Sequence, residues 1–427
     1  MSLLEKDKKY VWHPFTQASL SPDLIPVVKA EGVWVIDEKG NKYIDANSSW
    51  WTVLHGHGNQ QIIDGITKQI NSLDHIIFAG ATHPKAVEIA ERLVELLPGN
   101  FSKAFFSDNG STAIEVAIKM VYQYWHNKSV KKGKFLAIEG AYHGDTFGAM
   151  SVGERDFFNK PFEHLFFDVD YLPFPTKENA NDVLSLAKKL MAEGNYAGFI
   201  FEPLVQGAAG MRIYDAEVLN ELIKLAKAND VITIADEVMT GFYRLGTMFA
   251  LDQIEEEVDI VCLSKGLTGG VMAMGLTITT EAIFEAFKGD DLAKAFLHGH
   301  SFTGNPIASA AACASLGVLL TEESKSKVAM ISEMHAQICE LWKGKKGIRD
   351  IGSKGTILRI DVDVDTKASY FSSLRYEAYQ YFLENGILIR PLGNVIFVNP
   401  PYCISKEELQ HIYHHIDLFI ERIQKSK

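Results

Sequence analysis

Cysteine is scarce. The 427 residues hold four, Cys262, Cys313, Cys339 and Cys403, and none is close enough to another for a Cys-x-x-Cys pair. With the polar start Met1-Ser-Leu-Leu-Glu-Lys-Asp-Lys-Lys9, which carries no apolar leader, this leads us to expect a reducing, cytoplasmic setting. No apolar run reaches the roughly 18 to 20 residues that a membrane-spanning helix needs. Positive charge is in deficit: 42 Lys and Arg face 54 Asp and Glu, a formal net charge of −12. A net anion of this size disfavours nonspecific binding to nucleic acid or to an anionic membrane, so neither partner is expected. A Gly-x-x-x-x-Gly-Lys-Ser/Thr phosphate loop, internal repeats and low-complexity tracts are all missing.

What is present is an ordinary globular composition, 47% hydrophobic and 22% charged, in a chain long enough for two cores. Two stretches stand out. Asp259-Ile-Val-Cys-Leu-Ser-Lys265-Gly-Leu-Thr-Gly-Gly270 runs an apolar strand into a lysine and a loop of small residues. Val231-Ile-Thr-Ile-Ala-Asp236-Glu237 ends a second strand in acid. On its own the lysine reads as a solvated strand end, and the acids equally suit a metal-binding strand of a nucleotide hydrolase, whose phosphate loop this chain lacks. Taken together, parallel strands joined by a crossover open such ends onto one sheet edge. A lysine facing a buried carboxylate is what pyridoxal phosphate (PLP) chemistry uses: the amine condenses with the cofactor's aldehyde, and the carboxylate keeps the ring nitrogen protonated.

The rest of the chain repeats strand, loop and helix, with polar residues at strand ends, the pattern of a doubly wound α/β sheet. Lys103 to Thr112 leads through Gly110-Ser111-Thr112 into a helix whose apolar residues Ile114, Ala117, Ile118, Val121 and Trp125 recur at helical spacing. Thr112 and Glu115 fit a capping box, and the helix start offers free N–H groups to a phosphate, although such a cap is often only a cap. Tyr142-His143-Gly144-Asp145 follows another strand, where Tyr142 suits stacking on a planar ring and His143 or Asp145 suits orienting neighbours. Residues 155–195 read as a polar surface crossing. Ser301 and Thr303 supply hydroxyls for a phosphate or simply open the alanine-rich helix from Ala308. Gly32 to Asn41 alternates like a hairpin, and Trp50-Trp51, read as strand residues, should point to opposite faces so that one lines a cavity or an interface. His55 and His57 lack the partners of a metal set, and no metal is expected. The C-terminal part reads as a charged helix to Trp342, a helix over residues 372–384, short strands and a closing helix. Arg390 leaves an apolar strand before Pro391, either as a clamp for a carboxylate or as a surface arginine.

The sequence resembles the class III (ω-type) aminotransferases of PLP fold type I over nearly its whole length. The likeness rests on Trp12 to Gln17, Ser48 to Trp51, Phe106 to Thr112, Tyr142 to Met150, Glu202 to Gly207, Ala235 to Phe242, Ser264 to Gly270 and Ile389 to Pro391. It implies an α/β fold: a large domain with a mainly parallel central sheet (residues 61–320) and a small α+β domain built from residues 1–60 and 321–427. It further implies that Lys265 binds the cofactor and shuttles protons, that Asp236 pairs with the pyridine nitrogen, and that Gly110, Ser111 and Thr112 take the phosphate while Tyr142 stacks on the ring. His300 and Ser301 would reach the phosphate of the neighbouring subunit in a homodimer with shared sites. Phe15, Trp51, Tyr142, Arg244, Gly299 and Arg390 would bind substrate. Met239 stands where many relatives carry glutamine, Phe15 where some have tyrosine and Ser301 where threonine is common. Met239 favours the branch that aminates 8-amino-7-oxononanoate with S-adenosylmethionine, or with lysine in a minority. Aminomutases and decarboxylases share the same lysine and aspartate, so the fold alone does not choose among these reactions.

Overall fold

The computed structural model describes residues 1–20, 24–364 and 374–425. Its centre is a seven-stranded sheet in the order Phe101–Ser107, Gly275–Thr280, Ile260–Leu263, Ile232–Asp236, Tyr196–Phe201, Lys134–Ile138 and Val169–Leu172. Gly275–Thr280 runs antiparallel to both neighbours, and the remaining pairs are parallel. Parallel strands covered by helices on both faces must be apolar throughout. Accordingly, every residue of Tyr196–Phe201, Ile232–Asp236 and Ile260–Leu263 is buried. The helix Gly110–Asn127 crosses one face and buries Ile114, Val116, Ala117, Ile118, Met120, Val121 and Trp125. Trp125 Nε1–H donates to the Ala197 carbonyl at 2.9 Å, which satisfies its polar atom inside the core.

The stretch read as a surface crossing is more ordered than its composition suggested. It contains the edge strand Val169–Leu172 and the helix Ala180–Met191. An edge strand needs only partial cover, and the helix buries just Val183, Ala187 and Met191, a stripe at four-residue spacing diluted by polar neighbours.

Away from this sheet, Val27–Glu31, Trp34–Asp37 and Lys42–Asp45 form antiparallel pairs. The expected hairpin turns at Gly40, φ +85°, with Asp37 Oδ1 accepting the N–H groups of Lys39 and Asn41. Lys42–Asp45 then pairs in parallel with Ile387–Leu388, so the two ends of the chain share one four-stranded sheet. Ile348–Lys354, Ile357–Val362 and Val395–Val398 form a separate antiparallel sheet. Helices Glu322–Trp342, Leu374–Glu384 and Lys406–Lys425 complete this part, and the first two residues expected in the 372–384 helix lie outside the described ones. Among the described residues no helix is long and apolar enough to cross a membrane.

His335 ties these C-terminal elements together. Its ring is fully buried, with Nδ1 2.7 Å from the Tyr413 hydroxyl and Nε2 3.1 Å from the Thr356 carbonyl. Burial lowers its pKa to about 3. An unfolded histidine takes its proton near 6.5, so from about pH 6.5 down to 3 the unfolded chain binds the extra proton. The stability held above pH 6.5 is therefore lost as pH falls, by about 2 kcal/mol at pH 5 for this one group. His335→Gln is expected to show a flatter decline of the urea midpoint between pH 7 and 5 than the unsubstituted protein. Equal slopes would refute the assignment.

Candidate active site

Asp236 ends one parallel strand, and Glu202 and Lys265 stand just past the C-terminal ends of its two neighbours, with Asp236 paired in register to Cys262. That common edge forms a cleft of about 660 Å³, lined among others by Gly110, Ser111, Tyr142, Glu202, Asp236 and Lys265. The alternation of charge after each apolar run is therefore a single constellation in space.

Asp236 is buried and held from two sides. His143 Nδ1 lies 2.7 Å from its Oδ2, and the Val238 N–H donates to its Oδ1 at 3.0 Å. The His143 ring is itself buried, and its Nε2 has no hydrogen-bond partner among the described residues. Lys265 sits at φ +47°, a left-handed backbone that a non-glycine residue adopts at a cost. Burial pushes its amine below the usual lysine pKa, while the negative charges of Asp236 and Glu202 act in the opposite sense. Its Nζ stands 4.7 Å from the centre of the Trp51 ring. Glu202 accepts the N–H groups of Gly207 at 2.8 Å and Tyr142 at 3.1 Å. Burial raises its pKa to about 7, against the opposing pull of His143.

The helix from Gly110 begins one residue after Asn109, which is the actual cap: its side chain accepts the Thr112 N–H at 2.9 Å and the Thr112 hydroxyl bonds back to the Asn109 N–H at 3.1 Å. The box expected between Thr112 and Glu115 does not form. Glu115 instead accepts the Gly148 and Ala149 N–H groups. Thr112 is committed to the cap and does not line the cleft, which leaves the first N–H groups of the helix, at Gly110 and Ser111, to face an anion. Glycine is required at position 110, because a Cβ there would stand 2.6 Å from Val238 Cγ1.

Tyr142 borders this cleft and a second, more apolar cavity of about 210 Å³, whose walls include Phe15, Trp50, Trp51 and Phe158. Its hydroxyl donates to Asp145 Oδ2 at 2.9 Å. Burial is the main reason its phenol is held far above the ordinary tyrosine pKa. Trp50 and Trp51 do not belong to a strand: Ser48–Trp51 is a short helical turn with φ of +49°, +59° and +65° at Ser48, Ser49 and Trp51. Asp45 fixes it by accepting the Ser49 N–H and hydroxyl, and Ser48 donates to the Asn399 carbonyl. Trp51 is thereby buried, and Trp50 stays 39% exposed. Phe15 stacks on Trp50 at 5.7 Å and 24°, and the Arg390 guanidinium stands 4.8 Å from the Trp50 ring centre beside a small recess lined by both tryptophans.

Not every expected residue gathers here. Arg244 is fully buried, donates to Asn399 Oδ1 at 2.8 Å and to the Pro400 carbonyl at 3.0 Å, and lines none of these cavities. Gly299, His300 and Ser301 also stand outside them, although Lys119 Nζ meets His298 Nδ1 at 2.9 Å just before that loop. His55 and His57 bond to Ser315 and Asp45 respectively. Conversely, Asp156, Phe158 and Asn159 form a wall of the apolar cavity that the sequence reading had assigned to the surface. The adjacent aromatics Phe157 and Phe158 in a polar stretch were the available signal.

A model of the class III aminotransferases matches residues 16–420. The chain is a class III aminotransferase. It is 42% identical over 424 residues to the adenosylmethionine-8-amino-7-oxononanoate aminotransferase of Synechococcus elongatus, covering 97% of this chain and 99% of that protein. It is 36% identical to the enzyme of the same name from Staphylococcus aureus, covering 96% and 95%. The crystal structure of that aminotransferase from Methanocaldococcus jannaschii superposes with a TM-score of 0.92 at 35% identity, covering 99% of this chain and 98% of that one. An ω-transaminase from Pseudomonas jessenii in complex with PMP gives 0.92 at 26% identity, covering 100% and 99%. Class III aminotransferases depend on PLP, and the cleft of this one suits it: an amine for the aldehyde, a carboxylate for the ring nitrogen, and a helix start for the phosphate.

Proposed function

We propose that this aminotransferase moves an amino group from S-adenosylmethionine to 8-amino-7-oxononanoate, giving 7,8-diaminononanoate for biotin synthesis. The observation that carries the reading is the path from Lys265 to Arg390. Lys265 stands against Trp51, the aromatic walls of Trp51, Trp50 and Phe15 follow, and Arg390 lies beside Trp50. The acceptor has the matching form, a ketone and a carboxylate at opposite ends of an apolar chain. Lysine is the alternative donor.

In this reading PLP, when bound, supplies the aldehyde that receives the amine and a ring that accepts electrons. Lys265, whose amine burial pushes below the usual lysine pKa, is the group that would bond the cofactor and carry the proton from the substrate carbon. Asp236, pinned by His143, holds the proton on the ring nitrogen. The Gly110 and Ser111 N–H groups bind the phosphate, Tyr142 covers the ring, and Arg390 takes the acceptor's carboxylate. Arg244 assists the polar end of the site through the Asn399 and Pro400 segment, to which it donates. The protein works in the cytoplasm as a homodimer, in which His300 and Ser301 complete the partner's phosphate site and Gly299 contributes to substrate binding.

The visible spectrum of PLP-loaded protein, mixed separately with S-adenosylmethionine and with lysine, tests the reading without an acceptor. Replacement of the PLP band by the pyridoxamine phosphate band with S-adenosylmethionine alone is the expected result. Conversion by lysine alone would reassign the donor. No change with either would refute the proposed reaction.

A further inference from the structure

The apolar cavity is charged on one side only. Among the described residues three carboxylates line it, those of Asp145, Glu154 and Asp156, and no lysine or arginine does. Two of the three are engaged: Asp145 accepts the Tyr142 hydroxyl, and Glu154 accepts the Gly140 N–H and faces the field of Arg212. Asp156 differs. Its Oδ1 accepts the Phe158 N–H at 2.8 Å, and its Oδ2 has no partner among the described residues. The turn that presents it is braced, since the Asp156 N–H donates to Asn159 Oδ1 at 3.2 Å and the buried Asn159 amide donates back to the Glu154 carbonyl.

Aromatic rings connect this acid to the cation at the other side. Phe158 meets Phe15 edge-on at 6.2 Å and 72°, Phe15 stacks on Trp50, and Arg390 stands over Trp50. The site is thus a row of π faces with a carboxylate at one end and a guanidinium at the other. A ligand that matches both poles carries a carboxylate and, some carbons away, a second positive charge. Aromatic faces stabilise a sulfonium or ammonium group, and a nearby carboxylate adds to that attraction. The same carboxylate repels the single carboxylate of the keto acceptor and so directs that end toward Arg390.

We propose that Asp156 is a specificity-determining residue that selects amine donors bearing a second, remote positive charge, and that orients the acceptor by repulsion. This rests on the transaminase reading above, and its test separates the two. Each donor is paired with a neutral analogue: lysine with norleucine in single-turnover spectra, and S-adenosylmethionine with S-adenosylhomocysteine in equilibrium dialysis against Lys265→Ala protein, where no turnover intervenes. Asp156→Asn is expected to lower the cationic-to-neutral ratio of rate constants or affinities about tenfold, and Asp156→Lys to lower it further. The unsubstituted protein's preference should also weaken as ionic strength rises, and that of Asp156→Asn should not. A purely structural role would depress both members of a pair and leave the ratio where it was. Unmoved ratios, with donor conversion intact, overturn the role of Asp156 alone. Conversion by neither S-adenosylmethionine nor lysine overturns the transaminase reading, and the dialysis ratio then still decides whether Asp156 reads charge.

Discussion

Exchange of Lys265 for alanine is expected to lower kcat by at least about 10⁴-fold, or roughly 5.5 kcal/mol of barrier, with the fold intact. The size follows from two roles in one side chain. A positioned amine at the strand end both bonds the cofactor and moves the proton, and among the described residues no other lysine lines the cleft to replace it. The fold should survive because the amine lies against the Trp51 face, and removing a buried amine also removes its desolvation penalty. Turnover by purified Lys265→Ala, measured with circular dichroism and a melting curve on the same sample, checks both halves. Near-normal turnover would rule out this lysine as the reactive one. Normal melting with lost turnover is the expected pair.

That expectation was legible in the sequence because strand ends are local features. An apolar run followed by Asp236, Glu202 or Lys265 marks a buried parallel strand leaving the sheet, and parallel strands bring such ends to one edge. What remained hidden depends on distant partners. The turn of Ser48–Trp51 requires left-handed backbone at three non-glycine residues, and it is held by Asp45 and by the Asn399 carbonyl from the far end of the chain. The resemblance gave Arg244 a substrate role, and no local pattern showed that its side chain would donate to Asn399 and Pro400 from the far end of the chain. The helix cap was misplaced by three residues because Gly110, a poor helix former, occupies the first helical turn and hides Asn109 behind it. The wall carrying Asp156 reaches the cavity only because the polar stretch folds back across Phe15.

The second large effect concerns the charge behind the ring. Asp236→Asn keeps the size of the side chain and its ability to accept the Val238 N–H and to meet His143, but it removes the negative charge. A neutral amide cannot hold a proton on the ring nitrogen as a carboxylate can, and electron withdrawal into the ring drives removal of the substrate proton. We expect kcat to fall about 10³-fold, near 4 kcal/mol, with substrate KM changed far less, because the loss lies in the transition state. The neighbouring carboxylate gives an independent readout. The charge of Asp236 helps hold the pKa of Glu202 up near 7, so its removal should let Glu202 release its proton at lower pH. The same charge favours protonated Lys265, so in Asp236→Asn the amine's pKa should fall further. A carbonyl-region infrared or ¹³C titration of Glu202 and the pH dependence of cofactor attachment to Lys265 would follow these two downward shifts. If kcat falls while both titrations stay fixed, the charge of Asp236 does not reach Glu202 and Lys265, and the electrostatic account of the site is wrong. If both titrations move down together with kcat, the carboxylate's charge is the quantity that the buried His143 contact and the strand edge are arranged to keep in place.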